Sequence, residues 1–377
     1  MNESSLDFVI LKLNENQVID IVEQKSVQNN FFDKNKFSNI NDIQIIIKKN
    51  VEEIEKKLNF IFKEVIIISD FLEYKCINIS SFKKLNGSQI LKENISYILN
   101  LLKLSVSENQ KQCTILQIFN SKSVLDGTNV QNLPIGLFGD FYNHELTFFL
   151  IKNNDLKNIK LIFNKNNLNV LKIFNKNFLE GVSLIESKKE NESFFIIKIG
   201  RKRSILNFFE NSSFRYSQSF NFGSNIIIKD IAKVCSLDKT SIEKILTDEI
   251  NKENFFSQNN YKKTSKKLIQ EVAEARIEEI CNLIFNKNIN ILLFKKQNLN
   301  IYINFNDSLV FKNFQKDFKF FLSKDNKLSI DFIEDFKTID LVKKALHLFI
   351  YGWNKEAVPV YKAKKSPIAR IFEYFFD

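Results

Sequence analysis

The sequence predicts an α/β fold of more than one domain. Three observations carry that reading. Asp42 to Lys63 places Ile43, Ile47, Val51, Ile54, Leu58 and Phe62 at helical spacing. Val65-Ile-Ile-Ile-Ser69 follows at once, a β-branched run suited to a strand buried on both faces. Helix followed by buried strand suggests packed α/β layers, and 377 residues exceed one average domain.

The other elements follow in order. Phe8 to Glu23 alternates apolar and polar residues and reads as a hairpin. Ser88 to Leu104 reads as a helix with Ser88 as N-cap and Ile95, Leu99 and Leu102 on one face. Strands are expected at Thr114–Phe119 and Leu146–Lys152. Between them lies a loop holding three of the eight glycines: Gly127, then Gly136 and Gly139 in Pro134-Ile-Gly-Leu-Phe-Gly139. Asp155–Asn166 and Phe178–Ser187 read as helices, then Ser193–Ile199, Ser204–Phe209 and Phe214–Phe222 as strands. Helices are expected at Ser224–Val234, Lys239–Leu246 and, the longest, Ser265–Phe285. Strands near Ile289–Phe294 and Leu299–Phe305 precede helices Leu309–Leu322 and Ile339–Tyr351, the last ending at Gly352. A basic linker and a short tail from Ser366 close the chain.

Composition excludes several chemistries. Two histidines, His144 and His347, lie far apart, which argues against a His-based metal site or His catalysis. Cys76, Cys113, Cys235 and Cys281 form no CxxC pair and sit in apolar stretches, as small core residues do. No metal is expected. No apolar run reaches the roughly 18 residues of a membrane span. No secretory leader is recognised, so a reducing cytoplasm is the expected setting. The net charge of +11 points to acidic partners such as lipid head groups, an acidic peptide or nucleic acid. No recognised nucleic-acid module accompanies it, and the aromatics are mostly Phe at core spacing, so no nucleic acid is expected.

Four segments carry a resemblance. Pro134–Gly139 after Val124-Leu-Asp-Gly127 resembles the PIG-x-x-G loop of the FtsA family of bacterial division proteins. Phe222-Gly-Ser-Asn-Ile-Ile-Ile-Lys-Asp-Ile-Ala232 resembles that family's GG-x-x-x-T-x-DIA element, and Glu274-Ala-Arg-Ile-Glu-Glu-Ile280 its PRVEEI helix. The tail resembles its amphipathic membrane-targeting helix. The order matches along essentially the whole chain. The resemblance implies a two-lobed actin/Hsp70-like fold with the FtsA-type inserted subdomain 1C. It divides the chain into 1A (1–81, 164–190 and the closing helix 339–353), 1C (82–163), 2A (191–230 and 286–338), 2B (231–285), a linker (354–365) and a membrane-targeting helix (366–377).

The departures from that family bear on chemistry. Its two phosphate turns carry an acidic residue with glycines. Here the first matching stretch runs Lys12-Leu-Asn14-Glu15, and the second Lys198-Ile-Gly200-Arg201-Lys202-Arg203. The adenosine loop, Ile303–Ser308, has lost its Gly-Gly pair. Backbone N–H groups reach phosphate oxygens best where no Cβ intervenes, and carboxylates position Mg²⁺. The sequence therefore predicts a degenerate ATP site, no cofactor and no enzymatic hydrolysis. Lys198, Arg201, Lys202 and Arg203 could still hold a nucleotide weakly; the plainer alternative is a basic, solvated hairpin.

In the tail, Ser366-Pro367 fits an N-cap and first turn. Ile368, Ile371, Phe372, Phe375 and Phe376 then share one helical face, with Tyr374 at its margin and Arg370 opposite. Lys364 and Lys365 stand just upstream. A cationic linker before an amphipathic helix suits the membrane interface; docking on the protein's own core is the alternative. Lys262, Lys263, Lys266, Lys267 and Arg276 lie on or before the long helix. The resemblance implies that this region receives the C-terminal peptide of the tubulin-like protein FtsZ, although Arg276 and Glu279 could instead form a structural ion pair.

The expectation is a peripheral protein on the cytoplasmic side of the cell inner membrane, at the division septum. It would anchor FtsZ filaments (the Z ring) to phospholipid, self-associate into filaments and scaffold later division proteins. The alternatives are a nucleotide-dependent, polymerising actin-like ATPase and an FtsA-related pilus-assembly scaffold.

Overall fold

The computed structural model describes residues 5–14, 19–28, 32–33, 36–37, 39–70, 72–188, 193–247, 266–295, 299–323 and 329–357. Chain contacts divide it into two units: Met1–Cys76 with Asn154–Gly352, and Ile77–Asn153 with the chain from Trp353.

The first unit begins with the antiparallel hairpin β1 (Ser5–Leu13) and β2 (Ile19–Gln28), broken by a bulge at Ile10/Leu11. A two-residue pair, β3 (Phe32–Asp33) and β4 (Lys36–Phe37), leads to α1 (Ile40–Leu58). The side chain of Asn39 caps α1 by accepting from the N–H groups of Asn41 and Asp42. The apolar stripe read from the sequence turns Ile43, Ile47 and Ile54 inward. β5 (Glu64–Ser69) runs parallel to β10 (Asn169–Asn175). The sequence reading missed β10. It sits among Asn and Lys residues, and its core-facing side chains, Ile173 and Phe174, become apolar neighbours of β5 only through long-range pairing.

In the second unit, β6 (Lys75–Lys84), β7 (Cys113–Leu125), β8 (Thr128–Val130) and β9 (Phe141–Lys152) form a four-stranded sheet in the order β6-β9-β7-β8. Helix α2 (Lys92–Asn109) covers its core with Ile98, Leu99 and Leu102. Ser88 is not the N-cap. Its carbonyl accepts from Gly139 N–H, so the chain is held in a turn there. The helix starts at Lys92, with Asn94 Oδ1 accepting from Leu91 N–H at 2.7 Å. The Gly-rich loop locks onto that turn: Ile90 N–H donates to Leu137 O, and Gly136 N–H returns to Ile90 O, both at 2.8 Å. After Gly352 the chain adds to the β7 edge, Asn120 N–H donating to Lys355 O and Ala357 N–H to Ile118 O.

Back in the first unit, α3 (Asn153–Asn164) precedes β10, and α4 (Lys176–Lys188) leaves it. β11 (Phe194–Ile199), β12 (Ser204–Glu210), β13 (Ser213–Phe220), β14 (Asn300–Phe305) and β15 (Ser329–Ile333) form a five-stranded sheet in the order β13-β12-β11-β14-β15. Its β11·β14 and β14·β15 pairs are parallel. α5 (Asn225–Cys235), α6 (Lys239–Thr247), α7 (Lys266–Cys281) and α8 (Ser308–Ser323) share one apolar core with this sheet. α9 (Thr338–Tyr351) packs on α4.

Two readings around α7 need correction. The helix expected over Ser265–Phe285 as the longest stops at Cys281, which leaves it shorter than α1, and passes into a π-turn, Asn282–Asn286, closed by Lys287 N–H on Asn282 O at 2.8 Å. Ile289–Phe294 is a 3-10 turn rather than a strand. Only Ile291 is fully buried there, so the apolar run is not the mark of a sheet. Two of the cysteines, Cys235 and Cys281, are buried as expected; Cys76 and Cys113 are partly exposed.

Candidate functional site

In the first unit, the ends of β5, β10, β11 and β14 bring charged side chains together. The first turn of α4 carries Lys176, Asn177 and Glu180 there, and the turn after β11 brings Lys198, Arg201 and Arg203. Lys198 is only 8% exposed, and Glu180 3%. Its Nζ donates to both carboxylate oxygens of Glu180, at 2.9 and 2.8 Å, and approaches Asn177 Oδ1 at 3.4 Å. Lys176 Nζ donates to Asp70 Oδ2 at 3.3 Å and lies 3.9 Å from Glu180 Oε1. Burial alone lowers the Lys176 pKa, but Asp70 and Glu180 together hold it above the ordinary lysine value.

The other two cations are also engaged. Arg201 Nε lies 3.3 Å from Asp307 Oδ2, which also accepts from Ser224 Oγ at 2.8 Å. Arg203 donates to Asp70 O and, at 2.6 Å, to Ser219 Oγ. Lys176, Lys198, Arg201 and Arg203 thus face Asp70, Glu180 and Asp307. A buried charge needs such compensation, because desolvating it alone costs several kcal/mol.

The backbone of the turn is spoken for as well. Gly200 N–H donates to Arg203 O at 3.0 Å. The carbonyls of Gly200 and Arg201 accept from the N–H groups of Ser224 and Asn225, at the start of α5. A Cβ on Gly223 would overlap the Gly200 carbonyl, so only glycine permits this close seating of helix on turn. Lys198, expected either to help hold a nucleotide weakly or to belong to a basic, solvated hairpin, does neither: it points inward and is consumed by Glu180. Among the described residues, buried oxygens on Ser69, Asp70 (Oδ1), Asn304 (Oδ1) and Asp307 (Oδ1) have no hydrogen-bond partner, which marks the surroundings of the cluster as polar. Among the described residues, no three His, Cys, Asp or Glu side chains converge as metal ligands.

Of the remaining expected site residues, those that the structure describes do not join this cluster. Lys12 stands exposed on β1, opposite Asp20 in the hairpin register. Asn14 donates to Asp20 Oδ2 at 3.2 Å, and Glu15 lies outside the described residues. Lys202 is exposed beside the turn. Lys262 and Lys263 also lie outside the described residues, as do the tail residues Lys364, Lys365, Ile368, Arg370, Ile371, Phe372, Tyr374, Phe375 and Phe376. Lys266 opens α7, and Lys267 is solvated, 3.7 Å from Glu271. Arg276 is committed to Asp230 and Glu279. It is a structural ion pair of the kind anticipated as the alternative, joining α7 to α5.

Sequence reasoning missed Glu180, Lys176, Asp70 and Asp307. One signal was available. Gly181 lies mid-helix in a glycine-poor chain, and a Cβ there would overlap Phe209 Cζ. That close approach seats α4 against the sheet and so places Glu180 under Lys198.

Among the described residues no helix is long and apolar enough to cross a membrane. No protein-family model matches the chain, and no curated protein matches it by sequence. Among solved structures it is similar to one from a PilM–PilN type IV pilus biogenesis complex. That match has a TM-score of 0.54 at 10% identity and covers 93% of this chain and 96% of the other. An ethanolamine utilization protein, EutJ, from Carboxydothermus hydrogenoformans follows at TM-score 0.41 and 10% identity, covering 88% and 82%. A protein with actin-like ATPase fold from Bacteroides thetaiotaomicron has TM-score 0.35 and 11% identity, covering 90% and 91%. At such identity the likeness speaks for the fold alone: the chain has the actin-like α/β fold that the resemblance implied.

Proposed function

We propose that this protein is a non-hydrolysing, actin-like scaffold of the FtsA kind, which tethers FtsZ filaments to the membrane. The observation that carries the scaffold reading is the Lys198–Glu180 pair. It sets a compensated lysine where the resembled family has a carboxylate, so the side chains there do not fit a magnesium nucleotide. Its mechanism is simultaneous binding of lipid, filament and further copies, with no covalent step. Lipid contact is assigned to the amphipathic tail, and filament contact to the lysines at the start of α7. One helix of five large apolar side chains holds reversibly, and side-by-side self-association supplies avidity. The pairing of Lys355 and Ala357 along β7 holds the last described residues on the second unit.

The test is co-sedimentation of the intact chain with anionic liposomes, beside a chain ending at Lys365 and beside Phe372→Glu. Both variants are expected to stay in the supernatant. Equal pelleting of all three would refute the tail as anchor.

A second reading is a pilus-assembly scaffold, favoured by the likeness to a chain of the PilM–PilN complex over nearly the whole length of both. Pull-down with FtsZ on one arm and PilN on the other separates the two. Retention of FtsZ supports the first reading, and retention of PilN alone supports the second.

A further inference from the structure

The segment after α7 exposes apolar side chains beside the core that it joins. Through the π-turn and the 3-10 turn, Leu283 is 49% exposed, Ile289 76%, Leu292 59% and Leu293 91%. The backbone beneath them is well anchored. Ile291 is fully buried, and the Phe294 ring stacks on Phe208 with centroids 4.9 Å apart. Asn288 Nδ2 donates to Ile284 O at 2.9 Å and to Gln218 Oε1 at 3.0 Å, while its Oδ1 accepts from Asn290 N–H. Lys295 Nζ donates to Asn286 O at 2.8 Å, joining the two turns. The leucines are therefore held in water by a fixed framework, an arrangement that favours any partner able to cover them.

Charge and composition choose that partner. Between Glu279 and Asp307 the sequence contains no acidic residue, whereas Lys287, Lys295 and Lys296 are cationic. Lys287 is exposed beside the turn. Of the exposed side chains in the turn, Ile289, Leu292 and Leu293 are aliphatic and Asn290 is polar. Aromatic and Arg anchors mark protein–protein hot spots, and Leu is under-represented in them. An exposed aliphatic turn with Lys287 beside it, in a stretch of sequence free of acids, instead suits an anionic bilayer, where the aliphatic side chains enter the acyl boundary and the lysine meets a head-group phosphate. We propose that the Ile289–Leu293 turn is a membrane-contact site in its own right, inserting into an anionic phospholipid leaflet independently of the C-terminal tail.

The full-length chain has a single tryptophan, so Trp353→Phe combined with Leu293→Trp places the only indole in the turn. With vesicles of phosphatidylglycerol and phosphatidylcholine, its fluorescence is expected to shift to the blue. Bromine on the acyl chains should quench it, and phosphatidylcholine alone should leave it unchanged. The same quenching of the bound fraction is expected when Phe372→Glu is added, so failure of the tail does not mask the turn. Leu293→Asp should weaken partitioning about tenfold. Protein that pellets with an unquenched indole overturns the proposal while leaving the tail reading intact. A blue shift that grows with protein concentration in the absence of vesicles assigns the turn to a second copy and also overturns it, as does absence of any vesicle binding.

Discussion

Lys198 and Glu180 form a buried, bidentate ion pair, with Nζ 2.9 and 2.8 Å from the two carboxylate oxygens. Neither residue can change alone without stranding the other. Glu180→Gln is expected to cost about 3–5 kcal/mol, because it leaves the lysine uncompensated in the interior. Lys198→Met with Glu180→Leu removes both charges and should restore most of that loss. Urea unfolding midpoints of the two variants decide it; a single variant as stable as the parent would show that the pair is solvated.

Nucleotide offers a second check on the same cluster. Millimolar ATP with magnesium is expected to leave the melting temperature unchanged, since binding to the folded state alone would raise it. A concentration-dependent rise would reopen the reading of this chain as a nucleotide-dependent filament.

His144 should make stability fall in mild acid. It is fully buried, Nδ1 facing Tyr142 Oη and Nε2 donating to Asn120 Oδ1. Burial lowers its pKa to about 4, against about 6.5 in the unfolded chain. Between those values the unfolded state takes up a proton that the folded state refuses, so stability is full above about pH 6.5 and declines toward pH 4. The loss amounts to about 3 kcal/mol. Denaturant titrations across this window should show the slope in the parent and a flatter profile in His144→Gln.

Gly181→Ala tests the seating of α4. Helix propensity favours alanine by about 1 kcal/mol, yet the new Cβ would overlap the Phe209 ring. Overpacking is expected to win, with a net loss of about 1–3 kcal/mol in thermal or urea unfolding. Stabilisation would mean that Phe209 yields freely.

The sequence by itself determined the α/β class and most helices, because periodicity and β-branched runs are local properties that packing here respects; the actin-like fold was implied only by the resemblance of four segments. It also located the Gly-rich loop and the basic turn after β11. What the tertiary structure decided was partnership. Ser88 looked like a helix cap until Gly139 claimed its carbonyl, and the Ile289–Phe294 run looked like a strand until the packing of Ile291 and Phe294 bent it into a turn. Lys198 looked like a free cation because its partner lies eighteen residues away on a helix that no local pattern ties to it. Burial forces a charge to find its opposite, and only the folded chain shows which one it finds.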